Sequence, residues 1–409
     1  MSAAGTSGEV GEVWRYVDLG AIDAFESNAQ LPVVVRDVAS TGRGAVTTSV
    51  WGRTHLNVGW FDDVDETVDL KAAAEKGVQV IRRPFYGGGT AFYGEGCAAT
   101  WAFLLPKAGP DATGESLDDR LARYQPLVLD FLARLGLSAV QFEGSSDLRM
   151  NGRKLGALTA QDIVACDCVG GFVNLSKPDL DLYLSVARVP DEKFKDKVVK
   201  DLREYVITAE EIAGHPVGYE DFRLAVLGAL DSAGIAWEAG PFTDKERERL
   251  SRGVAKVASD DWVRRVSTER FRAAAPEGAR VGFGNHKGRK LCRAGVALDA
   301  DGVVVAAMLA GDMHVGPPDV IDRVAAALVG AASGDESDLR ARIASVFEGS
   351  DVHQADALMG VTTDDLLAAV KRALADATGA AAAATAAASA SASASGTSGG
   401  TSGVSASAS

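Results

Sequence analysis

Residues 142–161 read FEGSSDLRMNGRKLGALTAQ and place one acid, Asp147, seven residues before one lysine, Lys154. Between them lies Asn151-Gly152, a dipeptide typical of the two-residue turns that join antiparallel strands. Because apolar, β-rich residues flank this turn, the stretch predicts a β-hairpin that brings Asp147 and Lys154 close together. On these residues alone the pair is either an ordinary surface salt bridge, worth about 0 to 1 kcal/mol, or part of a functional site.

A glycine-rich stretch upstream favours a functional site. Residues 81–96 read IRRPFYGGGTAFYGEG, in which the triplet Gly87–Gly89 follows a predicted strand and two arginines, Arg82 and Arg83. Glycines leave the backbone N–H groups unshielded by a Cβ, so a phosphate can approach them directly. Arginines supply positive charge at any relevant pH. The alternative is a flexible turn, and the spacing matches neither a P-loop nor a dinucleotide-binding fingerprint.

Composition narrows the class of protein. The 409 residues allow two or more domains with cores of their own. With 42 basic and 56 acidic residues the net charge is −14, which disfavours nucleic acid or an anionic membrane as a partner. No apolar run is long enough for a transmembrane helix, and the first residues lack a basic segment followed by an apolar one. We therefore expect a cytoplasmic protein.

The four cysteines do not form a disulfide framework. Cys97, Cys166, Cys168 and Cys292 are few and irregularly spaced. The C-x-C pair has no second pair and no nearby histidine, which disfavours zinc. We expect buried, reduced thiols.

Hydrophobic periodicity predicts helices elsewhere. The apolar pattern of Trp14–Asp37 suggests a helix that breaks or kinks at Pro32. Apolar residues across Leu117–Leu135 recur at helical spacing and predict a core helix. Thr243 and Glu246 form a capping box at the start of a charged helix.

These elements predict an α+β fold with two domains and a tail. The first domain covers residues 11–258. A smaller α+β module covers 279–377, with a hairpin around Asp299–Gly302. Residues 379–409 are almost entirely Ala, Ser, Thr and Gly, so they cannot bury a core and are expected to be disordered.

Several motifs in order resemble the lipoate-protein ligase family, within the biotinyl/lipoyl ligase superfamily. Arg83–Ala91 is similar to the family's RR-x-S-GGG-A-V segment, Gly144–Leu148 (GSSDL) to its GRNDL, and Gly152–Lys154 to its Gly-Arg-Lys step. Val189–Val206 looks like its VP-x-EK-x-K-x-K segment. Gly288–Gly330 looks like the accessory C-terminal domain of the two-domain ligases. Together the resemblance extends over roughly residues 14–374.

The resemblance implies a fold and an activity. The fold is a mixed sheet flanked by helices, with a small accessory domain. The activity is ATP-dependent: lipoate becomes lipoyl-AMP with release of pyrophosphate, and the lipoyl group then passes to a lysine of an acceptor domain. ATP and Mg²⁺ are the implied cofactors, and lipoyl-domain proteins are the implied partners.

The resemblance also implies residue roles. Lys154 would be the catalytic cation that contacts both the lipoate carboxylate and the α-phosphate. Asp147 would contact the adenylate or hold Mg²⁺. Substrate and ATP contacts are implied for Arg83, Gly87, Gly88, Gly89, Thr90, Asp147 and Gly156. Phe85, Tyr86 and Phe92 are candidates for an apolar slot around the dithiolane, with core packing as the alternative.

Departures from the family pattern keep two alternatives open. Tyr93-Gly94 replaces the His-Asp pair after the triplet, and Gly170-Gly171 lies near the position of a missing His-Gly pair. One alternative is therefore a non-catalytic homologue that binds an acyl group or a lipoyl domain. The other is an ATP-independent octanoyl or lipoyl transferase. Such a transferase needs a cysteine shortly before the lysine motif or well after it, and neither Cys166 nor Cys168 falls at those places.

Overall fold

A computed structural model describes six segments of the chain and divides them into two compact units. The described residues are 13–84, 89–107, 117–163, 166–188, 204–354 and 360–379. Unit 1 runs to Arg265, and unit 2 begins at Val266 and also takes in Gly89. The boundary thus lies between the predicted domain limits of 258 and 279. The Ala/Ser tail from residue 380 onward lies outside the described residues.

The strands of unit 1 form two sheets. In chain order they are β1 (Trp14–Ile22), β2 (Ala45–Trp51), β3 (His55–Val58), β4 (Gln79–Arg82), β5 (Ala91–Tyr93), β6 (Ala98–Pro106), β7 (Gln141–Glu143), β8 (Asp147–Met150), β9 (Arg153–Ile163), β10 (Cys166–Asn174) and β11 (Trp237–Ala239). The large sheet has the order β11-β1-β2-β6-β10-β9-β8-β7, and the small one β4-β3-β5. Strands β11, β1 and β2 run parallel, whereas the remaining pairs of the large sheet are antiparallel. The predicted mixed sheet is confirmed.

Helices cover the large sheet. The helices of unit 1 are α1 (Ala24–Thr41), α2 (Val64–Thr67), α3 (Leu70–Glu75), α4 (Leu117–Arg134), α5 (Leu180–Val186), α6 (Ala209–Ala213), α7 (Tyr219–Ser232), α8 (Asp244–Val257) and α9 (Asp260–Val263). Side chains of α4 and α7 form one core with the sheet, and valines of α1 form a second core. The predicted stripe on α4 is buried from Leu121 to Leu135, which confirms that helix.

The prediction for Trp14–Asp37 is wrong in its first half. Trp14–Ile22 is a strand because it pairs in parallel with β2, a long-range contact that local periodicity does not reveal. Helix α1 begins only after Asp23, whose carboxylate accepts from the backbone N–H of Glu26 in a capping box. The helix then continues through Pro32 to Gly42. The free energy gained by burying its valines compensates for the backbone hydrogen bond that Pro32 cannot donate.

Unit 2 contains two small sheets and four helices among the residues that the structure describes. Its elements are β12 (Arg280–Lys287), β13 (Leu291–Leu298), β14 (Val304–Gly311), β15 (Val315–Gly316), β16 (His353–Gln354), α10 (Thr268–Ala274), α11 (Val320–Leu328), α12 (Glu336–Phe347) and α13 (Thr363–Ala377). The hairpin predicted around Asp299–Gly302 is present as β13 and β14. Within the described segments, no helix combines the length and apolar character needed to cross a bilayer.

A buried ion pair ties β1 to the start of α8. The Arg15 guanidinium donates to both carboxylate oxygens of Glu246, at 2.7 and 3.0 Å, and also contacts Asp37 at 2.8 Å. Arg15 and Glu246 are only 5% and 6% exposed. Hydrogen bonding from Arg15 lowers the pKa of Glu246 from 4.5 to about 2. A carboxylate whose pKa is depressed by folding stabilises the protein above its unfolded pKa, and this stabilisation is lost as the pH falls.

We predict that Glu246→Gln removes about 2 to 3 kcal/mol of unfolding free energy at neutral pH. Between about pH 5 and pH 2 the wild type should lose more stability than the variant, because only the wild type must protonate the Glu246 carboxylate. Urea unfolding followed by tryptophan fluorescence measures this, because all six tryptophans lie in unit 1. Glu248→Gln, at an exposed position of the same helix, is the control. Equal losses of unfolding free energy in Glu246→Gln and Glu248→Gln at every pH would show that the buried ion pair adds no special stability.

Candidate functional site

The hairpin of β8 and β9 forms as predicted and places Lys154 against Asp147. Asn151 and Gly152 both have positive φ, 52° and 76°, as a type I′ turn requires. The Lys154 Nζ lies 2.6 Å from Asp147 Oδ1, and both side chains are 23% exposed. The pair is therefore more enclosed than an ordinary surface salt bridge.

Arg149 adds a second cation to this pair. It lies directly across the hairpin from Lys154 and donates to Asp147 Oδ2 at 2.9 Å. The same guanidinium donates to the Gly152 carbonyl and to the Tyr205 hydroxyl, both at 2.9 Å. The guanidinium carbon of Arg149 also lies 4.9 Å from the centre of the Tyr205 ring. Asp147 thus holds one cation on each carboxylate oxygen.

Backbone contacts fix the start of β9. The Lys154 carbonyl accepts from the N–H of Ile207 at 3.0 Å. The neighbouring Arg153 donates to the Val206 carbonyl and pairs with Glu211 at 3.3 Å. The position of the Lys154 ammonium is therefore set by ordered strands rather than by a loop.

The glycine triplet is described only in part. Gly87 and Gly88 lie outside the described residues, as do Phe85 and Tyr86, and Gly89 groups with unit 2. Thr90 donates to Asp62 Oδ2 at 2.8 Å. The convergence of the triplet and Lys154 on one pocket therefore stays a prediction, as do the roles of the triplet and Thr90 in binding ATP.

The two arginines before the triplet differ. Arg83 is partly buried, and its backbone N–H donates to the Val58 carbonyl at 3.0 Å. Arg82 is completely buried and donates to four backbone carbonyls, those of Gly59, Trp60, Asp62 and Val263. Burial lowers the pKa of Arg82 to about 10. The expectation that both arginines supply charge to a bound anion is therefore wrong for Arg82, whose guanidinium links two segments of unit 1.

Gly156 has a packing role. It pairs with Leu148 on one side and Val173 on the other, and its φ is not in the left-handed region. A Cβ at this position would overlap the Phe172 carbonyl oxygen of β10. The structure thus explains this glycine by close strand packing, and its contact with ATP stays a prediction.

The part of the chain that the structure describes offers no ready-made metal site built from protein ligands alone. Among the described residues no cluster of three or more His, Cys, Asp or Glu side chains is arranged to hold a metal. Asp147, the expected Mg²⁺ ligand, has both oxygens paired with cations. The role of Asp147 toward Mg²⁺ stays a prediction.

An aromatic cluster between the two sheets was missed by the sequence reasoning. The rings of Trp51, His55 and Tyr93 contact one another in a triangle, with centres 4.5 to 5.4 Å apart. Tyr93 also meets Phe172 edge-on at 5.7 Å. Phe92, the expected slot residue, packs instead on the opposite face of the small sheet with Tyr183. Side-chain alternation along β3 and β5 could have revealed the cluster, because it puts His55 and Tyr93 on one face of the small sheet.

The cysteines are reduced, and three of them are buried. Cys166 and Cys168 belong to the core under α1, and burial raises the pKa of both thiols, for Cys168 to about 12. Cys292, in unit 2, has a pKa raised by burial to about 12. Cys97 is partly exposed, and its thiol donates to the Lys177 carbonyl at 3.4 Å.

Comparison with known proteins now identifies the family. Residues 48–231 match the model of the lipoyl protein ligase A/B catalytic domain. This segment of the chain belongs to that family. The matched segment contains both Lys154 and the glycine triplet, so the resemblance inferred from the motifs is confirmed.

Proteins similar to this chain are named either octanoyltransferase or lipoate-protein ligase. An octanoyltransferase LipM of Geobacillus kaustophilus is 26% identical over 282 residues, which is 61% of this chain and 98% of the relative. A lipoate-protein ligase A subunit 1 of Thermoplasma acidophilum is 26% identical over 217 residues, 50% of this chain and 79% of the relative. The crystal structure of P. falciparum LipL1 in complex with lipoate has a TM-score of 0.57 at 11% identity. It covers 83% of this chain and 95% of that one, a likeness of fold. The chain is thus an enzyme of the lipoyl and octanoyl transfer family.

We predict that Gly156→Ala destabilises unit 1 of this ligase family member by about 3 kcal/mol, since the added methyl group meets rigid backbone. Urea unfolding followed by tryptophan fluorescence is the measurement. Gly218→Ala is the control, because its Cβ would meet its nearest neighbour, Asp221, at an ordinary 3.5 Å. A Gly156 variant as stable as wild type would show that β9 and β10 can separate without cost.

Proposed function

We propose that this chain is a lipoate-protein ligase that activates lipoate with ATP and transfers the lipoyl group to a lysine of an acceptor domain. The observation that carries the proposal is the partly buried Lys154 ammonium, held 2.6 Å from Asp147 at the end of a rigid hairpin. An ammonium has three N–H donors, so one bond to Asp147 leaves two for substrate anions.

The first chemical step needs such a cation. A lipoate carboxylate oxygen attacks the α-phosphorus of ATP, the bond to the bridging oxygen breaks, and pyrophosphate leaves. Two anions must meet in this step, and a fixed positive charge lowers their repulsion most effectively when it is already in place. Lys154 would take this role, with Arg83 and the N–H groups of Gly87–Gly89 binding the phosphates.

The second step transfers the acyl group. The amine of the acceptor lysine attacks the acyl carbonyl of lipoyl-AMP, AMP leaves, and the amine loses a proton to solvent. The acceptor is a lipoyl domain or a similar small domain that presents a lysine. The family name and the lipoate-protein ligase relative support this class of partner.

An ATP-independent octanoyltransferase is the second candidate, favoured by the name of the Geobacillus relative. This reaction takes an acyl group from a thioester onto an enzyme thiolate before transfer. Cys166 and Cys168 are poorly suited to it, because both are buried and their thiols have raised pKa values. Cys97 is the described thiol of unit 1 that solvent reaches. Burial therefore disfavours Cys166 and Cys168 as the nucleophile of a transferase and leaves Cys97 as the thiol to test.

We predict lipoate-dependent release of pyrophosphate from ATP, and transfer of the lipoyl group to an acceptor lipoyl domain. Lys154→Ala should slow adenylate formation at least about 100-fold, as expected when a preorganised charge is removed from a transition state. Mass spectrometry of the acceptor and a pyrophosphate assay are the measurements. Lys71→Ala, at an 88% exposed lysine of unit 1, is the matched control.

A separate assay tests the transferase. The folded chain is mixed with an octanoyl thioester and the acceptor domain in the absence of ATP. Octanoylation that is lost in Cys97→Ser or Cys166→Ser, together with no pyrophosphate from ATP and lipoate, would replace the ligase with the transferase. Pyrophosphate release at an undiminished rate by Lys154→Ala would remove that lysine from its role.

A further inference from the structure

The connection between β4 and β5 carries the glycine triplet, and it starts and ends on the same small sheet. Strand β4 ends at Arg82, which pairs with Val58 of β3, and β5 begins at Ala91, which pairs with Asn57 of β3. The two ends therefore lie on opposite sides of β3, about 10 Å apart. Whatever holds these two ends decides how the connection leaves the sheet and returns to it.

One residue, Asp62, bonds to both ends of this connection. Its backbone carbonyl accepts from Arg82 Nη1 at 2.8 Å, and its carboxylate Oδ2 accepts from Thr90 Oγ1, also at 2.8 Å. Asp62 is 3% exposed, and Arg82 is completely buried. Asp62 thus forms a bridge across the base of the connection, from the last residue of β4 to the residue just before β5.

The bridge rests on a rigid support. The backbone N–H of Asp62 donates to the Gly59 carbonyl at 3.1 Å, and Arg82 donates to that same carbonyl at 2.6 Å. The next residue, Asp63, caps helix α2 by accepting from the N–H of Asp65 at 3.1 Å. The Asp62 carboxylate is therefore held in place by its own backbone, and Thr90 is the residue that it restrains.

A buried carboxylate bonded to a segment that is proposed to bind anions needs a physical reason. Burying a carboxylate costs free energy unless it is hydrogen-bonded, and its charge repels phosphate. The neighbouring Arg82 offsets that charge by electrostatic attraction. A hydrogen bond from a hydroxyl to a carboxylate is roughly twice as strong as one between neutral groups. The carboxylate therefore suits a residue that restrains Thr90 rather than one that touches phosphate.

We propose that Asp62 is a positioning residue for nucleotide binding. Its bond to Thr90 fixes how the connection re-enters the sheet, and so aligns the backbone N–H donors that precede Thr90 with the phosphates of ATP. The identity of the anion rests on the proposed function. Asp62 touches no substrate and acts through Thr90, and a misplacement of about 1 Å in such a positioning contact can cost about 100-fold in rate.

The first test removes the bond from each side. Asp62→Ala keeps the carbonyl that binds Arg82 and loses the carboxylate, whereas Thr90→Val keeps the side-chain shape and loses the hydroxyl. Each change should raise KM for ATP about tenfold and leave KM for lipoate unchanged, and the double variant should be no worse than either single variant. An equal rise in both KM values indicates a general loss of structure, and additive effects indicate independent roles; either result overturns the proposal.

Two further variants test the specificity of the effect. Asp62→Asn retains an oxygen that can accept from Thr90, so it should restore most of the ATP affinity that Asp62→Ala loses. Thr67→Val is the control, because the Thr67 hydroxyl also donates at 2.8 Å, to the Asp63 carbonyl next to the bridge. Its KM for ATP should match that of the wild type. A rise as large as that of Thr90→Val would show that any hydroxyl lost from this region has the same effect, and would overturn the proposal.

A measurement that needs neither ATP nor lipoate separates this inference from the proposed function. Hydrogen exchange of the amides of residues 90–93 in the full chain, followed by mass spectrometry, should be about tenfold faster in Asp62→Ala and Thr90→Val, with exchange in β9 unchanged. Unchanged exchange in both folded variants overturns the bridge even where ligase activity is present. If the wild type releases no pyrophosphate, the ligase is overturned, and ATP affinity measured by calorimetry replaces KM in the comparison. No binding of ATP to the wild type overturns both proposals.

Discussion

The contact between Asp147 and the two cations around it is the interaction on which the candidate site depends. Arg149 and Lys154 face each other across the hairpin, and like charges in that position repel. Asp147 offsets the repulsion because each of its oxygens binds one of the two cations. With Glu143, which lies 3.5 Å from Arg149, the group contains two cations and two carboxylates. What Lys154 offers a substrate anion is therefore its two remaining N–H donors rather than a net charge.

The hairpin can hold this charge in place because the sheet behind it is tightly packed. Leu148 and Leu155, next to the charged residues, are completely buried in the core beneath α4 and α7. At Gly156 and Gly171 the neighbouring backbones come too close for any side chain. A cation held on strands of this kind keeps its position when substrate is absent, and so costs little reorganisation when the reaction occurs.

The features that sequence predicted are those specified by a few neighbouring residues. Asn151-Gly152 forms the expected tight turn, and Thr243 with Glu246 forms the expected capping box. Features that depend on distant segments were missed. The strand at Trp14 exists because β2 pairs with it, and the carbonyls around Arg82 come from residues 59–62 and 263. Motif resemblance picked out Lys154, whose catalytic role stays a prediction, and the family model bears out the resemblance itself.

The choice between ligase and transferase depends on where the energy of acyl transfer comes from. A thioester is already activated, so a transferase needs a reactive thiolate and no second anion site. A free acid is not activated, so a ligase must hold a carboxylate against a phosphate. In this chain two thiols of unit 1 lie in a core that disfavours their ionisation, while the hairpin holds the Lys154 ammonium against Asp147 with two N–H donors left for an anion. A partly buried ammonium with unused donors suits a site that must hold a carboxylate against a phosphate, which is why we favour the ligase although relatives of both kinds match the chain.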